Sequence, residues 1–90
     1  MKDQGEPMRS DGELFEQIVS ILRPLAEDGL EITGDTDLAA DLSLDSLKIM
    51  EVLEEIEVRF DISVPINILP DIRTVRDVVL QLHKLLAEAE

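Results

Sequence analysis

Leu, Ile and Val recur at spacings of three and four in three separate stretches of the chain, and this periodicity commits most of it to amphipathic helices. From Asp11, the set Leu14, Ile18, Ile21, Leu22 and Leu25, with Phe15 and Val19 beside it, predicts a first helix N-capped by Asp11. Pro24 should end that helix near Arg23 or kink it before a last turn, because proline has no amide to donate. A second helix is expected from about Leu47 to Phe60. A short helical turn fits between Pro65 and Leu69, since proline suits a first helical position. The last helix follows Thr74, an N-cap with Asp77 at the third helical position, where a capping box places Glu or Gln. Its apolar stripe is Val75, Val78, Val79, Leu82, Leu85 and Leu86. Nothing alternates as a half-buried strand would. The expected fold class is all-α, a four-helix bundle of three longer helices and one short helix.

Ninety residues leave room for a single core. Residues 1–10 hold Gly5 and Pro7 among polar neighbours without periodicity and read as a flexible tail, so residues 11–90 are the expected domain. Between Ala26 and Asp45 neither helical nor strand periodicity is sustained. Leu30, Ile32, Leu38, Leu42 and Leu44 are spaced through that stretch as apolar anchors. A loop this long between helices 1 and 2 is ordinarily either functional or disordered, and its spaced leucines predict one pinned to the core.

The formal charge of −13 sets the class of partner. Nucleic acid and anionic membrane surfaces would be repelled over roughly 8 Å at physiological salt, so the expected partners are basic proteins. Phe15 and Phe60 are the two aromatic residues, too few for base-stacking platforms. The absence of cysteine excludes disulfides and thiolate metal sites, so any thiol chemistry must come from an attached group. Met1 to Ser10 contains no apolar run suited to a signal peptide, and no stretch approaches a membrane span. The expectation is a cytoplasmic monomer.

On a helical projection of the second helix, Ile49, Val52, Leu53, Ile56 and Phe60 share one arc, the predicted buried face. Leu47, Met50 and Val58 fall outside it, interleaved with Glu51, Glu54, Glu55 and Glu57. Scattered surface apolar residues are ordinary; here, however, acids and apolar residues mix along one face. Such a face suits docking, with carboxylates steering a basic partner and apolar side chains supplying contact area. Lys48 and Arg59 reduce the acidity near the two ends of the helix.

Ser46 stands where that helix begins, and its simplest role is an N-cap accepting from first-turn amides. A serine nucleophile needs a general base. The sole histidine, His83, lies on the last helix with no evident partner and reads as a solvated or rim residue. A phosphate ester on a serine at a helix start would meet the positive end of the helix dipole. Asp41 and Asp45 oppose it, so the phosphate should point to solvent. Asp35 and Asp37 imitate the start of a calcium loop, but Ala39, Ala40 and Ser46 occupy later positions that need a ligand, a glycine and a glutamate.

Thr36, Leu38, Asp41 and Leu42, then Asp45-Ser46-Leu47, the acidic helix through Phe60, Val64-Pro65 and Thr74-Val75, resemble an acyl carrier protein across roughly residues 11 to 87. The resemblance implies that Ser46 receives 4'-phosphopantetheine from coenzyme A through a phosphopantetheinyl transferase. The distal thiol would then carry acyl groups as thioesters, and the protein itself would not be an enzyme. It also implies that Asp45 and Leu47 contact the transferase. Met50, Glu51, Glu54, Glu55 and Val58 become the expected docking residues for acyl-loading and acyl-transferring enzymes with basic patches. Ser43 replaces a frequent Gly, Lys48 a commonly acidic or neutral residue, and Glu54 a frequent hydrophobic contact; Ile66-Asn67-Ile68-Leu69 is less acidic than many relatives. These departures point to a specialised carrier in lipid or secondary-metabolite synthesis, or to one for aminoacyl groups, although the Gly-Gly usual in peptidyl carriers is absent before Ser46. The competing reading is an unmodified acidic adaptor that binds a basic protein through the same strip, with Ser46 as a cap alone.

Overall fold

The computed structural model describes residues 11–89; the tail expected at residues 1–10 lies outside the described residues. Helix α1 spans Asp11–Leu22, α2 Ser46–Phe60 and α3 Val75–Ala89. A 3₁₀ turn, Arg23–Leu25, continues α1, with Pro24 in its first positions, so the proline both ends the regular helix and permits one tighter turn. The short fourth helix is a 3₁₀ segment, Ile66–Asp71. The chain is therefore helical, with a long connection between α1 and α2.

Helix α1 makes the close backbone contacts with both α3 and α2. Its Leu14, Ile18 and Leu22 are fully buried against Val52, Leu53, Ile56 and Phe60 of α2 and Val75, Val78, Val79 and Leu82 of α3. These are the stripes expected from the periodicity, except that Leu25, in the 3₁₀ turn after α1, is exposed and Ile49, Leu85 and Leu86 are only half-buried. Each fully buried aliphatic side chain contributes about 1.5–3 kcal/mol.

The connection between α1 and α2 is pinned as its leucine spacing predicts. Ile32, Leu38, Leu42 and Leu44 are buried, while Leu30 packs at the margin. Main-chain bonds finish the work: the Leu38 amide donates to the Arg73 carbonyl at 2.9 Å, Val75 to Thr36 at 3.0 Å and Arg76 to Gly34 at 2.9 Å. They tie the loop to the start of α3 through one antiparallel bridge, Asp37 with Thr74. Thr36 is buried, and its hydroxyl accepts from the Thr33 amide at 2.8 Å, which satisfies a group that burial would otherwise penalise.

Asp35 and Asp37 of this loop are committed to the protein itself. Asp35 pairs with Arg76, and Asp37 accepts from the amides of Ala39 and Ala40 at 2.9 and 2.8 Å. Two long-range pairs escape sequence reasoning. His83 is not a lone rim residue; its Nδ1 lies 2.6 Å from an Asp11 carboxylate oxygen, joining α3 to the start of α1. Arg59 does more than dilute the acidity of α2. It donates to Gln17 at 3.1 Å and Ser20 at 3.3 Å and so fastens α2 to α1.

Helix α3 starts with the expected capping box, closed by aspartate. The Asp77 amide donates to the Thr74 hydroxyl at 3.2 Å, while the Asp77 carboxylate accepts from the Arg73 and Thr74 amides at 2.9 and 3.1 Å. Those backbone bonds, Arg73 first and then Thr74, hold the Asp77 carboxyl below its ordinary range. A folded-state value below the unfolded one contributes stability above the unfolded value, about pH 3.9, and loses it as pH falls through the folded one. Asp77→Ala should lower unfolding stability by about 1 kcal/mol at neutral pH. Urea melts of both proteins at pH 7 and pH 3 should show that difference shrinking in acid.

Candidate functional site

The start of α2 is organised by Asp45. It is the N-cap, in extended backbone, and its carboxylate accepts from the Lys48 amide at 2.9 Å while its carbonyl accepts from Ile49 at 2.9 Å. This corrects the expectation that Ser46 caps the helix. Ser46 is the first helical residue, exposed, and its hydroxyl has no protein partner among the described residues. The division of labour is physical: the cap position needs an acceptor beyond the helix, and Asp45 fills it.

The charges beside Ser46 are turned toward backbone amides. Asp41 accepts from the Asp37 amide at 2.8 Å, and Asp45 occupies the first turn of α2. The Asp45 carboxylate thus already occupies one first-turn amide, that of Lys48, and sets a negative charge beside Ser46 that opposes drawing a phosphate ester inward. Just before this turn, Ser43 adopts a left-handed backbone with φ 59°. Glycine takes that conformation at no steric cost, whereas serine is strained in it. The Ser43 departure noted in the sequence therefore falls on a position where the backbone itself favours glycine.

Of the candidate docking residues, Leu47 and Val58 stand clear of the core, 63% and 79% exposed. Glu51, Glu54 and Glu55 are exposed as expected, and Met50 is half-buried rather than outward. Met50 lines a groove of about 160 Å³ with Leu53, Glu54, Glu57, Val64 and Ile66. Glu57 also departs from the outward strip; it is half-buried and accepts from the Val64 amide at 2.7 Å, holding the chain that leaves α2. Ile66, 59% exposed on the 3₁₀ helix, joins this surface although no helical period in the sequence connects it to α2.

An all-helical domain without a thiol, offering an unpartnered serine at the start of an acidic helix, has the frame of a carrier for an attached prosthetic arm. Comparison with known proteins carries this further. Residues 16–82 match the family described as phosphopantetheine attachment site. The acyl carrier protein of Amoebophilus asiaticus is 42% identical over 77 residues, 84% of this chain and 96% of that protein. That of Rhodococcus erythropolis is 32% identical over 94% of this chain and 87% of its own length. The meromycolate extension acyl carrier protein of Mycobacterium leprae is 31% identical over 91% of this chain and 66% of its own. The chain belongs to the acyl carrier protein family, carriers of a covalently attached 4'-phosphopantetheine. The residues at the start of α2 fit that group: the free hydroxyl is exposed, and no side chain has to leave a bond for it to react.

Two substitutions separate capping from the serine's own role. Asp45→Ala should cost about 1 kcal/mol of stability, whereas Ser46→Ala should change it by less than about 0.5 kcal/mol. Ser43→Gly should raise stability by about 0.5–1 kcal/mol through relief of the left-handed strain. Denaturant melts of the three variants against the parent protein check all of these values.

Proposed function

We propose that this protein is a non-catalytic carrier that holds acyl groups on a phosphopantetheine arm esterified to Ser46 and presents them to enzymes of fatty-acid, lipid or secondary-metabolite synthesis. The observation that carries the assignment is the unpartnered Ser46 hydroxyl beside the Asp45 cap. When bound, the arm supplies a thiol for thioester chemistry, which the chain lacks because it has no cysteine. The protein's own contribution is positional. Asp45 fixes the helix start that holds Ser46 at the surface, and the exposed Leu47 adds apolar contact area for the transferase.

Met50, Glu51, Glu54, Glu55 and Val58 form the face on which partners with basic patches dock. Charge supports this reading: a domain of formal charge −13 attracts cations and repels nucleic acid and anionic lipid. No helix among the described residues is long and apolar enough to cross a membrane. The unmodified-adaptor reading gave Ser46 a role as a cap alone, and Asp45 holds that position.

Incubation with coenzyme A, magnesium and a broad-specificity phosphopantetheinyl transferase should add one arm to the protein by intact mass, and none to Ser46→Ala. No addition to the parent protein, or equal addition to both, contradicts the assignment.

A further inference from the structure

The face of α2 is not uniformly acidic, and its two flanks differ in how their charges are met. On the flank toward α1, Lys48 lies 3.5 Å from Glu51, and Arg59 lies 3.9 Å from Glu55. The same arginine is held in place by Gln17 and Ser20. Each of the two anions there is met by a cation, so these four groups present no net charge to an approaching protein. Exposed pairs of this kind add little stability, but they cancel the field that steers association.

On the opposite flank, Glu54 has no cationic partner among the described residues, and Glu57 spends one oxygen on a backbone amide without losing its charge. Between these acids and the 3₁₀ helix lies the 160 Å³ groove, whose apolar walls are Met50, Leu53, Val64 and Ile66. Its volume is below the roughly 300–1,000 Å³ of small-molecule sites and suits one inserted side chain. The groove on the α1 flank is larger, about 330 Å³, but Arg59 lies in its wall and its acids are already paired.

We infer that partner enzymes read this carrier through the Met50–Ile66 groove, seating one large apolar side chain there and placing an arginine or lysine against Glu54. Ile66 is the specificity-determining residue, because it makes the outer lip of the groove apolar and lies off α2. Glu51 and Glu55 are secondary contacts. Complementarity fixes the chemistry of the occupant: a basic residue beside an apolar anchor meets the uncompensated acid and the adjacent apolar walls together.

This inference rests on the carrier reading, and one experiment separates the two. Steady-state kinetics of arm transfer from coenzyme A by the broad-specificity transferase are measured with the parent protein, Ile66→Asp, Glu54→Gln, Glu51→Gln and Glu55→Gln. Circular dichroism melts establish that each variant is folded. The expected result is a KM for the carrier raised about fivefold by Ile66→Asp and by Glu54→Gln with kcat retained. Glu51→Gln and Glu55→Gln should each have less than half that effect. Equal effects on the two flanks, or larger ones at Glu51 and Glu55, overturn the groove assignment and leave the carrier reading standing. A parent protein that accepts no arm overturns both.

Discussion

The hydrogen bond from the Lys48 amide to the Asp45 carboxylate is the interaction on which the site depends. A helix start exposes amides that need an acceptor, and the residue supplying it is tied to that end of the helix. With Asp45 in that position, the neighbouring serine keeps the favourable surface location and is freed from structural work. The same bond gives the helix terminus a negative partner, and Ser46 stays exposed to solvent beside it.

That display requires a fixed platform. The connection from α1 to α2 has no regular structure to stiffen it, yet Ile32, Leu38, Leu42 and Leu44 anchor it from within and the backbone bonds to Arg73, Val75 and Arg76 anchor it to α3. Helix α3 in turn is started by Thr74 and Asp77. The serine is therefore positioned by the whole core: α1 packs on both other helices, and the loop is clasped between its own leucines and the cap of α3. Ser43 is where this arrangement stores strain, a left-handed turn required immediately before the helix.

Much of this was legible in the sequence because it rests on local rules. The periods of three and four located the helices, Pro24 and Pro65 marked their interruptions, and the spaced leucines predicted the pinned loop. The Asp45-Ser46-Leu47 start of the acidic helix marked the candidate site. The allocation of the cap was not legible, since Asp and Ser are nearly equal as N-caps and a shift of one residue in the helix boundary decides between them. The partners of His83, Arg59 and Glu57 depend on which faces the tertiary fold brings together. Asp11 and His83 are joined only once α1 packs on α3, and Ile66 joins the candidate docking residues Met50 and Glu54 only because the 3₁₀ helix folds beside α2.

The central claim is that Asp45 caps the helix and Ser46, left free, takes the arm. The most direct test is proteolytic peptide mapping by tandem mass spectrometry of protein loaded by a phosphopantetheinyl transferase, in a chain where Ser43 and Ser46 lie in one turn and loop. The adduct should localise to Ser46 alone. An adduct on Ser43, or on any other hydroxyl while Ser46 stays unmodified, would contradict the account.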